Sequence, residues 1–159
     1  MIREILVYPD PLLSRSSAPV LKMDNQLREL IKDMFETMYE YEGIGLAAPQ
    51  IGVFRRVIVL DVSPSDESGV PMALVNPEIV GSEEEMVCAT EGCLSVPGVS
   101  GEVIRPEIVV VQAMNEEGEP VVVRAGGILG RALQHEIDHL DGVLFIDRRV
   151  QPPASPESE

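Results

Sequence analysis

Two histidines separated by three residues are the first feature that points to chemistry. They are His135 and His139 in the segment HEIDH, and they are the only histidines of the chain. On a helix, positions i and i+4 lie on one face, one turn apart, so both imidazoles can bind one metal ion. Glu136 lies between them, and it would face the open coordination position and transfer protons. The spacing therefore predicts a hydrolytic metal site.

Such a site needs a third protein ligand, which here must be cysteine, aspartate or glutamate. Downstream, Asp141 is too close to the histidines, Asp147 is a weaker candidate, and Glu157 and Glu159 lie in the tail that we expect to be disordered. Upstream, Cys93 lies in the turn-like segment TEGCLSVPG, and thiolate binds first-row metals strongly. A buried thiol is the commonest role of a free cysteine, but beside an incomplete metal site we favour Cys93 as the ligand. Cys88 would point to the other face of a strand, and we expect it to be a small buried hydrophobic residue.

Apolar residues at helical spacing predict two helices that would position these groups. The first contains Leu27, Leu30, Ile31, Met34 and Met38. Asp24 or Asn25 would cap its start, and Gly43 would end it. The second helix would run from about 128 to 141, between Gly126-Gly127 and Gly142, and would carry the HEIDH segment.

The remaining apolar segments read as strands. They are 2–8, 56–62, 72–80 with a break at Asn76-Pro77, 83–96, 108–114, 121–126 and 143–148. Segments 108–114 and 121–126 would form an antiparallel hairpin. This order predicts a single-domain α+β fold, with antiparallel strands packed around a C-terminal metal-binding helix and a second long helix near the N-terminus. Residues 1–150 would form one catalytic domain, and the tail 151–159 would be disordered.

The charge and hydropathy of the chain exclude several classes of partner. The chain has 159 residues, with 12 basic and 27 acidic side chains and a net charge of −15. An acidic surface of this size argues against binding nucleic acids or anionic lipids. The apolar runs are too short to cross a membrane, and the first residues lack the apolar stretch of a signal peptide. Two cysteines fit a reducing compartment, so we expect a soluble cytoplasmic protein.

Three segments together resemble the signature motifs of the peptide deformylases. They are GIGLAAPQ (43–50), EGCLS (91–95) and QHEIDHLDG (134–142), in the order and at the spacing of that family. A weaker likeness extends from about Leu6 to Asp147. Peptide deformylases remove the formyl group from the initiator methionine of new bacterial proteins. The resemblance implies a metal-dependent hydrolase that acts on formyl-methionyl nascent peptides and releases formate.

The resemblance also implies which residues form the metal site. Cys93, His135 and His139 would bind the ion, with water as the fourth ligand. Glu136 would act as general acid and base while the metal-bound water attacks the formyl carbonyl. The ion in this family is usually Fe²⁺ in cells, and Zn²⁺, Ni²⁺ or Co²⁺ are often found after purification.

Further matching positions imply how the substrate is held. The side-chain amide of Gln50 and the backbone N–H of Leu94 would stabilise the developing oxyanion. Ile44 and Gly45 would bind the substrate, which would lie extended like an added strand. Glu91 could be a solvated charge, but we expect it instead to pair with Arg105 behind the metal site and to brace that site.

The chain also departs from the family. Many bacterial relatives carry a basic residue seven positions after the cysteine, where this chain has Ser100. Many also end in a C-terminal helix that is credited in some with ribosome docking, and this chain has the tail 151–159 instead. The acidic surface argues against direct contact with ribosomal RNA.

Two other interpretations are open on the residues alone. An HExxH metallopeptidase would cut internal peptide bonds, but it would need a convincing downstream ligand and would not explain EGCLS. A catalytically silent relative that only binds peptides would be expected to lack Glu136, Gln50 or a ligand. All of these are present.

Overall fold

The computed structural model describes residues 1–150, so the tail at 151–159 lies outside the described residues. The helices are α1 (Asn25–Glu40), α2 (Gly127–Leu140) and α3 (Phe145–Arg148). The strands are β1 (Gly45–Ala47), β2 (Val57–Leu60), β3 (Met72–Ser82), β4 (Met86–Cys93), β5 (Val96–Pro106), β6 (Val109–Met114) and β7 (Pro120–Ala125). The predicted α+β class is confirmed, with antiparallel strands around α2 and a long helix near the N-terminus.

One sheet separates the two long helices. It has five antiparallel strands in the order β1-β2-β3-β6-β7, while β4 and β5 pair as a separate two-stranded sheet. Side chains alternate between the faces of a strand. Val57 and Val59 of β2 therefore join the apolar cluster around α1, and Ile58 and Leu60 join the cluster around α2. No helix within residues 1–150 has the length and apolar character needed to cross a membrane.

Helix α1 forms as its apolar spacing predicts. Asp24 caps it, and its carboxylate accepts a hydrogen bond from the backbone N–H of Leu27 at 2.9 Å. The chain leaves the helix through Gly43, whose N–H donates to the carbonyl of Met38 at 2.9 Å. The residues that follow form β1, which pairs with β2 and lies at the edge of the sheet.

Helix α2 is held firmly at the end that carries the histidines. Gly142 follows the helix with φ of +75°, and a Cβ there would lie 2.3 Å from the carbonyl oxygen of Ser14. Only glycine fits this position without strain. The guanidinium of Arg56 donates to the carbonyl of Leu140 at 3.1 Å, which satisfies one of the helix-terminal acceptors. These contacts fix the helix end against its neighbours.

Two predicted strands are wrong. Residues 2–8 contact two different neighbours, through Leu6 N–H to Gln50 O and Tyr8 N–H to Ser95 O, both at 2.7 Å. No ladder with one partner strand forms there. Segment 143–148 instead contains α3, because Phe145 is buried under α2 and the Asp147 carboxylate accepts from the N–H of Leu144 at 3.0 Å.

One strand extends further than the sequence predicts, and another was not predicted. Strand β3 continues through Asn76-Pro77, where the expected break is a shift in register with Asn76 at φ of +52°. Strand β5 was not predicted, because glycines and prolines interrupt its sequence. It pairs with β4 along most of its length, from Met86 opposite Pro106 to Gly92 opposite Ser100. The hairpin formed by β4 and β5 carries Cys93.

Candidate metal centre

Helix α2 places both histidines and the glutamate in the interior. The apolar side chains Leu133, Ile137 and Leu140 bury one face of the helix against the sheet. His139 is 1% exposed, His135 8% and Glu136 5%. The spacing of the HEIDH segment thus places the two imidazoles one turn apart, with ring centroids separated by 5.1 Å.

The end of β4 brings Cys93 to the two histidines. Its Sγ lies 3.3 Å from His139 Nε2, and one ligand atom each of Cys93, His135 and His139 lie within 4.8 Å of one another. In a tetrahedral zinc site, typical bond lengths separate nitrogen and sulfur ligands by about 3.6 Å. A divalent ion therefore fits between these three side chains.

The other ligand candidates from the sequence have different partners. Asp141 pairs with Arg56 at 3.0 Å, and Asp147 caps α3. Neither belongs to the group of metal-ligating side chains that the structure brings together within residues 1–150, and Glu157 and Glu159 lie outside the described residues. The prediction that Cys88 is buried is wrong, because its side chain lies on the exposed face of β4 and does not belong to this group.

Glu91 lies behind the three metal-ligating side chains and forms a hydrogen bond with one of them, His135. His135 donates from Nδ1 to Glu91 Oε1 at 2.9 Å, which leaves His135 Nε2 as the nitrogen available to an ion. Arg105 donates to both oxygens of Glu91, at 2.6 and 2.9 Å, so the pair expected from the sequence forms. Burial alone would raise the pKa of Glu91, but the hydrogen bonds from His135 and Arg105 outweigh it and hold the pKa well below its usual range.

The two histidines differ in their electrostatic surroundings. Burial lowers the pKa of His139 well below its usual value, so its ring is neutral and suited to bind a cation. Burial also opposes protonation of His135, but hydrogen bonds with Cys93 and Glu91 raise its pKa to about 10. Metal binding at His135 therefore displaces a proton.

Glu136 is a buried carboxyl group beside the metal-ligating side chains. Within residues 1–150 its Oε1 accepts no hydrogen bond. Burial raises its pKa from 4.5 to about 7, where a carboxyl group can both accept and release a proton near neutral pH. The geometry leaves this side chain free to act on a molecule in the cavity.

This shift predicts a pH effect on the metal-free protein. The folded state keeps the Glu136 proton between pH 4.5 and about 7 while the unfolded chain loses it, so stability falls as pH rises through this range. Glu136→Gln has no proton to lose. We expect the gain in free energy of unfolding over wild type to be larger at pH 8 than at pH 5, as measured by urea denaturation. An equal difference at both pH values would contradict the raised pKa.

Gln50 lies beside Cys93 and has a fixed orientation. Its Oε1 accepts from the N–H of Ala47 at 2.9 Å, and its Nε2 donates to Ser95 Oγ at 3.1 Å. The same Nε2 lies 3.6 Å from Cys93 Sγ. The amide N–H₂ group therefore faces the metal-ligating group rather than the carbonyl oxygen. Leu94 follows Cys93 in the turn between β4 and β5.

Ser95 and Arg131 also contact the residues of this site, although neither was expected there from the sequence. Ser95 is fully buried and accepts from Gln50, and Arg131 donates to Glu91 at 2.6 Å. Only their positions in the sequence could have indicated this. Ser95 lies two residues after Cys93, and Arg131 lies four residues before His135, on the same helical face.

The backbone of Gly45 lies so close to Glu136 that a side chain at position 45 would collide with the carboxylate. A Cβ at this position would lie 2.6 Å from Glu136 Oε2 and 3.0 Å from its Cγ. We expect Gly45→Ala to displace the carboxylate and to lower kcat/KM by about 10- to 100-fold, since displacements near 1 Å can have such effects. Gly81→Ala is the matched control, because its Cβ would meet Val110 at an ordinary 3.9 Å. Wild-type kinetics in Gly45→Ala would contradict this close contact.

A cavity of about 1020 Å³ opens from this group to the surface. Its inner wall contains Cys93, His135 and Glu136, and its walls include Ile44, Gly45 and Ser100. Gly45 belongs to the edge strand β1, whose outer edge has no partner strand among the described residues. An extended peptide can therefore add to this edge.

Comparisons with known proteins show which family this chain resembles. The family model described as "Polypeptide deformylase" matches residues 2–154. A peptide deformylase from Natranaerobius thermophilus is 52% identical over 147 residues, which is 92% of each chain. Among solved structures, the Ehrlichia chaffeensis peptide deformylase in complex with actinonin is similar with a TM-score of 0.90 and 42% identity, covering 94% of this chain and 90% of that one. The Thermotoga maritima peptide deformylase has a TM-score of 0.88 and 43% identity, covering 96% and 99%.

Proposed function

The chain belongs to the polypeptide deformylase family, and on that premise we propose that it hydrolyses the N-formyl group of formyl-methionine at the start of new polypeptides, releasing formate. Members of this family are metallohydrolases. The observation that supports the proposal most directly is the group of Cys93, His135 and His139 beside the buried Glu136, at the inner end of a peptide-sized cavity.

The proposed cofactor is one divalent ion per chain, held by Cys93, His135 and His139. Fe²⁺ is the proposed native ion, and Zn²⁺, Ni²⁺ and Co²⁺ suit the same ligands. When bound, such an ion would act as a Lewis acid and would lower the pKa of a water molecule to about 7.

Glu136 moves the protons in this proposal. Its carboxylate takes a proton from the attacking water and passes it to the nitrogen of the leaving amine as the C–N bond breaks. The raised pKa of Glu136 suits both proton transfers near neutral pH. Because Gly45 has no side chain, the Glu136 oxygen has room to reach the substrate. The products are formate and a peptide with a free amino group.

Gln50 and Leu94 stabilise the negative charge that develops on the formyl oxygen. The Gln50 amide is already oriented by Ala47 and Ser95, so it need not reorganise during the reaction. The N–H of Leu94 is the second proposed donor. Ile44 and Gly45 hold the peptide backbone along β1, as an added strand.

The substrate class follows from the same site. Formyl is the smallest acyl group, and close walls around the ion admit it and reject acetyl by steric exclusion. The proposed partners are formyl-methionyl nascent chains, which also locates the enzyme in the cytoplasm where they are made. The net charge of −15 argues against direct binding to nucleic acid, ribosomal RNA or anionic membranes. We propose residues 1–150 as the catalytic domain.

The test is hydrolysis of two peptides that differ only in their cap. Protein purified without oxygen and loaded with Fe²⁺ is assayed with formyl-Met-Ala-Ser and acetyl-Met-Ala-Ser. We expect formate from the first and no acetate from the second. No formate from protein that holds one ion per chain would contradict the proposal, and cleavage of internal bonds in unblocked peptides would indicate a peptidase instead.

A further inference from the structure

Arg131 lies on α2, one turn before His135, and its guanidinium contacts the hairpin of β4 and β5. Its Nη1 donates to Glu91 Oε2 at 2.6 Å and to the carbonyl of Val103 at 3.0 Å, and its Nη2 donates to the carbonyl of Val87 at 2.8 Å. The side chain is 16% exposed. A planar guanidinium can satisfy three acceptors at once in this way, and an ammonium group cannot do so with the same geometry.

Arg131 and His135 bind opposite oxygens of one carboxylate. His135 Nδ1 donates to Glu91 Oε1 at 2.9 Å, while Arg131 donates to Oε2. Arg105 also pairs with Glu91, but it comes from β5 and reaches α2 through the Asp138 carboxylate at 3.0 Å, whereas Arg131 belongs to α2 itself. Arg131 therefore fixes the position of this carboxylate relative to the helix that carries His135.

The same contacts connect the two elements that supply the proposed ligands. His135 and His139 lie on α2, and Cys93 lies at the end of β4. Among the described residues, side-chain contacts from α2 to β4 within hydrogen-bond distance come from His135, His139 and Arg131. Arg131 is the member of this set that does not itself belong to the metal-ligating group.

We propose that Arg131 is a positioning residue of the metal centre, which clamps β4 to α2 through Glu91 and so determines how slowly the ion leaves. The inference rests on the proposed metal site. Groups that orient a metal-binding histidine typically change metal affinity 10- to 100-fold when they are removed. Arg105 still pairs with Glu91 in an Arg131 variant, so no unpaired carboxylate is left in the interior.

Zinc release from loaded protein to excess chelator measures this role without any turnover. We expect Arg131→Gln to release zinc about 10- to 100-fold faster than wild type. Arg131→Lys keeps the positive charge but loses the planar guanidinium. Its zinc release rate should therefore lie between those of wild type and Arg131→Gln. The control is Arg124→Gln, which removes a guanidinium that pairs with Glu83 at the surface and should release zinc at the wild-type rate.

A second measurement separates positioning from general stability. The absorption bands of the Co²⁺-loaded protein report ligand geometry, and we expect them to shift in Arg131→Gln but not in Arg124→Gln. Wild-type zinc release and unchanged Co²⁺ bands in both Arg131 variants, with only a lower unfolding temperature of the metal-free protein, would overturn the inference. If Arg131→Gln does not fold, wild-type release by Arg131→Lys would overturn it as well.

These outcomes are distinct from those of the proposed function. Wild-type protein that binds one zinc per chain, but releases no formate from formyl peptides when it is loaded with Fe²⁺, would contradict the deformylase proposal, while the zinc release rates would still test Arg131. Failure to bind zinc at one ion per chain would overturn both.

Discussion

Glu136→Ala is expected to abolish most turnover while the protein keeps one metal ion per chain. Glu136 does not belong to the metal-ligating group, so its loss leaves Cys93, His135 and His139 in place. Removing a general acid–base group typically lowers the rate about 10²- to 10⁴-fold. The measurement is the rate of formate release per bound ion, with metal content determined on the same sample.

Two further variants sharpen this result. Glu136→Gln preserves shape and should lose as much activity as Glu136→Ala, because an amide cannot transfer the proton. Glu29→Ala removes an exposed carboxylate from α1 and should leave both rate and metal content unchanged. Loss of metal together with activity in Glu136→Ala would contradict the role assigned to this residue.

Gln50→Glu is expected to lower kcat about 10²- to 10³-fold, the usual effect of losing one donor to a developing oxyanion. The glutamate can still accept from the N–H of Ala47, as Gln50 does at 2.9 Å. It replaces the amide N–H₂ group, which lies 3.6 Å from Cys93 Sγ, by a negatively charged oxygen. The glutamate oxygen then repels the negative charge that develops on the formyl oxygen, whereas the Gln50 amide stabilises it.

The ratio of kinetic constants tests this interpretation. Because the donor acts on charge present only in the transition state, kcat and kcat/KM should fall together. Gln26→Glu makes the same chemical change at an exposed position of α1 and should have wild-type kinetics. An effect of Gln50→Glu on KM alone would indicate that Gln50 binds the substrate and does not stabilise the oxyanion.

The parts of the site that depend on local geometry could be predicted from the sequence. The HEIDH spacing predicted a helix that presents two imidazoles on one face, since i and i+4 are neighbours on any helix. Asp24 or Asn25 was likewise predicted to cap the start of α1, and the Asp24 carboxylate does so. Cys93 was favoured as the third ligand by elimination among the possible ligand types. Its contact with His139 depends on the hairpin of β4 and β5, which places the two side chains together.

Features that depend on tertiary contacts could not be predicted in the same way. Segment 143–148 is too short for apolar periodicity to separate a strand from a helical turn. Burial of Phe145 under α2 decides in favour of the turn. Arg131 and Ser95 gain their roles from Glu91 and Gln50, which are distant in sequence, so their own types carried no signal.

Titration of metal-free protein with Fe²⁺ under anaerobic conditions tests the central claim most directly. Formate release from a formyl-methionyl peptide is followed as the ion is added. The proposed site predicts a rate that rises linearly and reaches its plateau at one ion per chain, and Cys93→Ala should show no such rise. Full activity without metal, or a plateau that Cys93→Ala also reaches at one ion per chain, would contradict hydrolysis at the site of Cys93, His135 and His139.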